Sequence, residues 1–142
     1  MRDTPAPEVV ADSLYGRDAC SQALGIEIVS VSGGSCVARM TVRTTMCNGF
    51  GIVHGGMTFL LADTAMAFAS NADNEVALAS SAEIDWLAPV HEGDVLTATA
   101  ERRWSNGRST VWDITITNGE ADVVAIARGR TRKVGRPVLE SM

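Results

Sequence analysis

The alternation of apolar and polar positions divides the chain into a short helix, two strands, one long apolar helix and four more strands. Glu8 to Ala23 predicts one helix, with Asp12, Arg17 and Asp18 on its wet side and Gly25 ending it. "IEIVSV" and "CVARMTV" read as strands joined across Ser32-Gly33-Gly34-Ser35, and a loop follows from Thr44 to Val53. From about Gly55 to Ser70 the chain is apolar nearly all round; beyond Met57 only Thr58, Asp63, Thr64 and Ser70 interrupt it. Such a helix is buried rather than laid on a surface. "VALASSAEIDWLAP", "DVLTATAERRW", "STVWDITIT" and "DVVAIARGRTRKV" are the later strands, and Asn106-Gly107 and Asn118-Gly119 are hairpin signals. In the third of these runs Trp112, Ile114 and Ile116 share one face while Asp113, Thr115 and Thr117 share the other, the period of a half-buried strand. Residues 1–7 read as a loose start and residues 134–142 as a tail.

The simplest way to bury such a helix is to wrap an antiparallel sheet around it. The expected class is therefore α+β, in the hotdog arrangement, with the helix as the sausage. The 142 residues suffice for a single domain with one core, expected over 1–142. A hydrophobic fraction of 46% with 20% charged residues excludes a disordered chain. The net charge of −5 argues against generic nucleic-acid binding, although eight of the twelve Lys and Arg residues fall between Arg102 and Arg136, which leaves room for a local anion site. Cys20, Cys36 and Cys47 form an odd set without CxxC spacing, so neither a disulfide framework nor a zinc site is expected. Cys36 reads as a core or strand residue. No basic-then-apolar leader and no apolar run of ~20 residues is present, so a cytoplasmic protein with no membrane partner is expected.

Asp63 is the chemical anomaly. An isolated carboxylate in an apolar interior costs several kcal/mol even after relaxation. It is either a structural Asp bonded to a neighbouring strand or turn, or a catalytic base or nucleophile with a tuned pKa. His54-Gly55-Gly56 stands where the helix begins. Unpaired first-turn N–H groups and the positive end of the dipole make an oxyanion hole there conceivable, and glycines admit a ligand oxygen. An ordinary glycine-containing helix entry has the same sequence, and a lone His54 is commonly structural. With His91 the only other histidine, no metal is expected. Gly55 and Asp63 are eight residues apart, ~12 Å along a helix axis. If both serve one carbonyl, they come from two helices related by a two-fold axis, and the protein is at least a dimer.

"NGFGIVHGG" with "LADTAMAFASN", "EIDWLAPVHEGD" and "GRSTVWDITI" resembles the hotdog-fold acyl-CoA thioesterases, most closely the phenylacetic-acid-degradation (PaaI-like) type, over roughly Leu24 to Lys133. The resemblance implies metal-free hydrolysis of an acyl-CoA to acid and CoA, with no cofactor beyond the CoA of the substrate. It implies Asp63 as general base or nucleophile, the Gly55 N–H as oxyanion donor, and Asn48 and His54 as residues that shape the loop and place the carbonyl. It also implies active sites between subunits of a homodimer or dimer of dimers.

One departure stands out: Ala67 occupies the place, one turn after the acid, where some relatives of this type carry a hydroxyl. Thr64, Ser80 and Ser81 are the substitutes, with local backbone capping as the competing explanation. Gly56, Phe59 and Arg108 complete the expected binding set. Arg108 follows the hairpin turn and suits CoA phosphates. Arg102 and Arg103 beside the same hairpin, and Arg128, Arg130, Arg132 and Lys133 on the last strand, are further candidates to hold CoA, with a solvated face explaining Arg128, Arg130 and Arg132 equally. Trp86, Trp104 and Trp112 are expected in the core or an interface, and Phe59, Leu60, Phe68 and Phe50 around the acyl group. The expected substrate is phenylacetyl-CoA, a ring-hydroxylated form or a similar medium-sized acyl-CoA. A hydroxybenzoyl or naphthoyl CoA ester and a non-catalytic acyl-CoA-binding role are the alternatives.

Overall fold

A computed structural model describes residues 3–140. Helix α1 (Pro7–Gly16) opens on a proline, whose missing N–H costs nothing at that position. It does not run on to Ala23, as the apolar pattern predicts. The Asp18 carboxylate accepts the Ser21 N–H at 2.9 Å and the Ser21 hydroxyl at 2.6 Å, starting a separate helix α2 (Ala19–Ala23). Capping a new first turn wins over continuing the old helix, because Asp is a strong cap and a poor helix-interior residue.

Strands β1 (Glu27–Ser32) and β2 (Ser35–Thr41) form the first hairpin. After helix α3 (Gly55–Asn71) come β3 (Glu75–Trp86), β4 (Val95–Asn106), β5 (Ser109–Thr117) and β6 (Val123–Pro137). All pair antiparallel in one sheet of order β1-β2-β4-β5-β6-β3. The sheet curls round α3, which touches all six strands. This is the hotdog arrangement that the sequence predicts.

The period-two pattern sends Cys36, Ala38 and Met40, then Leu96, Ala98 and Ala100, then Trp112, Ile114 and Ile116, onto the inner face. They meet Leu61, Ala62, Ala65, Met66 and Ala69 of α3. The alanines let helix and sheet approach closely. At Gly129 of β6 the approach is so close that an added Cβ would lie 2.2 Å from the Met66 sulfur. Cys36 belongs to this core, and burial pushes its thiol up to about 12, out of reach of thiolate chemistry.

Two features differ from the sequence expectation. The region from 134 is not a loose tail: β6 runs to Pro137, Val138 is buried, and the Leu139 N–H donates to Asn74 Oδ1 at 2.8 Å. Gly135, at φ 80°, bends the strand instead of ending it. Residues 1, 2, 141 and 142 of the expected loose ends lie outside the described residues, and Asp3 to Ala6 belong to no element. Second, α3 is not covered all round. Gly56, Phe59, Leu60, Asp63 and Ala67, spaced three or four apart, form a stripe that is exposed or half-buried.

Helix α3 lies antiparallel along β3. Its first residue, Gly55, meets Trp86, and its last, Asn71, bonds to Ala77. Strand β3 is an edge of the sheet, with the exposed side chains Leu78 and Trp86 near its two ends.

Candidate active site

The loop before α3 is built by Asn48. Its side-chain oxygen accepts the Phe50 N–H at 2.9 Å and the Ile52 N–H at 3.4 Å, and its own N–H donates to the Ile52 carbonyl at 2.8 Å. Asn is suited to this because its side chain mimics a backbone carbonyl two residues on. The His54 N–H is anchored on the Met46 carbonyl at 2.8 Å. His54 caps α3, its Nδ1 accepting the Gly56 N–H at 2.9 Å. An accepting Nδ1 requires a neutral ring with its proton on Nε2. The His54 carbonyl takes the Met57 N–H at 2.9 Å. Among the described residues nothing accepts the Gly55 N–H. Of the three amides at the helix entry, that one alone has no acceptor among the described residues.

Gly55 has a second neighbour that the sequence does not foretell. The Trp86 indole lies over it, so that a Cβ on Gly55 would stand 3.0 Å from Cε2 and Nε1. Trp86 Nε1–H donates to the Gly55 carbonyl at 3.1 Å. Asn48, Gly55, Thr58, Trp86 and Leu87 line a cavity of about 350 Å³ at the helix entry. Trp112 is core as expected, donating to Thr131 Oγ1 at 2.9 Å. Trp86 is 56% exposed in the single chain and stands beside the helix entry rather than in the core. Its bond to Gly55 spans 31 residues of sequence and leaves no local signal.

Asp63 sits on the open stripe. Burial pushes its carboxyl above the ordinary carboxylate range. The side chain is nevertheless reachable from solvent in the single chain, because its stripe is uncovered. No hydrogen bond or ion pair holds it among the described residues, so the reading of a structural Asp bonded to a strand or turn gains no support. Its own Gly55 is ~12 Å away along the axis, so the chain does not bring its own pair together.

The remaining residues divide sharply. Phe59 and Leu60 share the open stripe with Asp63 and Gly56. Phe68 does not; it is buried, its ring 6.4 Å from that of Tyr15. Phe50 is 90% exposed at the loop tip. Thr64 is buried, with Oγ1 3.4 Å from Ser21 Oγ, and so faces α2 instead of standing beside Asp63. The register of β3 shifts between Ala79 and Ser81, leaving Ser80 as the extra residue, and the Ser80 hydroxyl donates to the Arg130 carbonyl at 3.3 Å. Ser81 lies with Val111 and Arg128 on the outer face of the sheet, away from α3. Within the single chain none of the three hydroxyls is bonded to Asp63.

Arg108 is exposed in the two-residue loop between Asn106 and Ser109. Ser109 pairs with Arg132, and Arg132 with Leu78, so Arg108 stands at the opposite end of β3 from Trp86, ~25 Å away. Arg128 is occupied: it holds Asp113 through two bonds of 2.7 and 3.2 Å and keeps that carboxyl below its usual range. Among the described residues no three of His, Cys, Asp and Glu gather closely enough to hold a metal ion, and no helix is long and apolar enough to cross a membrane.

Known proteins share this architecture and sequence. Residues 50–125 match the Thioesterase superfamily model. The chain is 45% identical to the acyl-coenzyme A thioesterase PaaI of Escherichia coli (strain K12), over 88% of this chain and 89% of the relative. The solved structure of the E. coli PaaI protein from the phenylacetic acid degradation operon superposes with a TM-score of 0.90 at 43% identity, covering 92% of this chain and 95% of that one. A 1,4-dihydroxy-2-naphthoyl-CoA hydrolase of Listeria monocytogenes serotype 1/2a (strain 10403S) is 32% identical over 75% of this chain and 89% of its own length.

Proposed function

The chain belongs to the thioesterase superfamily, and on that premise we propose that it hydrolyses arylacetyl-CoA thioesters, phenylacetyl-CoA or its ring-hydroxylated forms, to the free acid and CoA. The observation that carries the reading is Asp63, an unpaired carboxylate with a raised pKa on an uncovered, otherwise apolar helix face. The site is proposed to form between two copies, Gly55 from one and Asp63 from the other.

Two further features support that assembly. Helix α3, with its open stripe, runs along β3, whose other edge is unpaired among the described residues. Because α3 runs antiparallel to β3, two β3 edges paired about a two-fold axis bring each Gly55 end toward the partner's Asn71 end. Arg108 stands at that same end, so it falls within reach of CoA bound at the partner's Gly55 rather than at its own.

In the proposed step, water adds to the thioester carbon and gives its proton to Asp63. The carbonyl oxygen takes up the negative charge beside the Gly55 N–H. The C–S bond then breaks, and CoA leaves as a thiolate, which needs no strong acid. A carboxylate held above its ordinary pKa is a better proton acceptor at neutral pH. No metal takes part in this scheme.

Complementation tests the shared site. Gly55→Pro removes the N–H at a position where a helix accepts Pro, after a His54 whose backbone is already extended (ψ 131°), and its ring also presses on the Trp86 indole, so both effects fall on the Gly55 half of the site. Gly55→Pro and Asp63→Asn homodimers should each be nearly inactive. Subunit exchange between them should restore roughly a quarter of wild-type activity, because half of the dimers are mixed and each has one intact site. No recovery on exchange would place both groups in one chain. Thiol release measured across phenylacetyl-, hydroxybenzoyl- and naphthoyl-CoA assigns the acyl group. The resemblance to the Listeria hydrolase makes the naphthoyl ester the rival, and its preference over phenylacetyl-CoA would move the assignment there.

A further inference from the structure

The Gly55–Gly56 peptide is held at both ends by side chains. Its carbonyl oxygen accepts Trp86 Nε1–H at 3.1 Å, and its N–H donates to His54 Nδ1 at 2.9 Å. Two glycines in succession are the least restrained backbone a chain contains, and the first turn of a helix has no upstream bonds to steady its amides. The neighbouring His54–Gly55 peptide carries the free N–H. The direction of that N–H follows from the Gly55 dihedrals, which the clamped peptide fixes on one side and the His54 N–H bond to Met46 on the other.

The indole also explains why residue 55 is glycine. The space that a Cβ would take belongs to the Trp86 ring, at 3.0 Å, and not to a ligand. Trp112, the core tryptophan, is 2% exposed and bonded to a strand side chain. Trp86 instead stands at the solvent-facing end of β3 with its polar atom turned onto the helix entry.

We propose that Trp86 is a positioning residue: its N–H and ring lock the Gly55–Gly56 peptide and thereby aim the Gly55 N–H at the thioester oxygen. This rests on the reading of that N–H as the oxyanion donor.

The test is Trp86→Phe, which keeps a ring over Gly55 and deletes the donor. It should lower kcat on the order of tenfold, since small misplacements of catalytic groups carry such losses, while KM and melting temperature stay near wild type. A positioning role predicts the same fractional loss for acetyl-CoA as for arylacetyl-CoA. Hydrogen exchange of the Gly56 amide should speed up in the variant, because one end of its peptide is released. Unchanged kcat overturns the proposal. So does a loss that grows with acyl size while Gly56 protection is intact, which would make the ring a pocket wall. The underlying reading fails separately, through a Gly55→Pro enzyme that keeps its turnover.

Discussion

The two ends of α3 handle polar groups in opposite ways. At the C-terminal end, Asn71 is buried and saturated: its Nδ2 donates to the Ala67 and Ala77 carbonyls at 2.8 and 3.0 Å, and its Oδ1 accepts the Ala77 N–H at 3.0 Å. At the other end the loop is equally well built, by Asn48, His54 and Trp86, yet the Gly55 N–H is left over, and Asp63 is left over two turns further on. Saturated groups hold the fold together. Groups left unpaired within a rigid frame are available for chemistry, because their bonding capacity is not already used.

That contrast can be broken by mutation. The largest effect belongs to the open groups: Asp63→Asn should lower kcat by 10²–10⁴, about 3–5 kcal/mol of activation free energy, with the fold intact by circular dichroism. Near-wild-type turnover would reject the role of Asp63. At the closed end, Asn71→Ala strips the partners from a buried Ala77 N–H and carbonyl and should cost about 2–3 kcal/mol in urea unfolding, with turnover of the folded enzyme preserved. A fall in turnover without loss of stability would erase the distinction between the ends. His54→Ala, which removes the α3 cap and frees the Gly56 N–H, should cost about 1 kcal/mol of stability and also lower kcat, since it loosens the peptide next to the donor.

The smallest effect concerns pH. The Asp63 carboxyl is raised by desolvation, so the folded state holds its proton more tightly than the unfolded chain does. Its contribution to stability is full below the unfolded-state pKa and is lost as pH rises through the folded one. At neutral pH Asp63→Asn should therefore melt at the same or a higher temperature than wild type, and the gap should close on acidification. The acid limb of kcat/KM should lie above the ordinary carboxylate range, where Asp63 begins to ionise. A limb at the unperturbed position would separate the raised pKa from the mechanism.

Periodicity made α3, the six strands and the inner face legible, because burial imposes it residue by residue. Asp63 was legible as an exception to that same pattern. What escaped depends on long-range contact or on a local break in period. The bulge at Ser80 reverses the alternation and sends Ser81 outward. Thr64 is one residue from Asp63, and on a helix that turns it by about 100°, into α2. Asp18 divided one expected helix into two by forming a cap. Trp86 reaches Gly55 through the register of a distant strand, and Arg108 is separated from its own Gly55 by the same strand's length.

The free edge of β3 has a consequence for handling the enzyme. A twelve-residue strand with one unpaired side is a template for any extended segment it meets. If a second copy covers that edge and completes the chemistry, specific activity becomes a function of concentration. Dilution should then lower turnover per chain before any secondary structure is lost, and partly unfolded preparations should clump through this strand first.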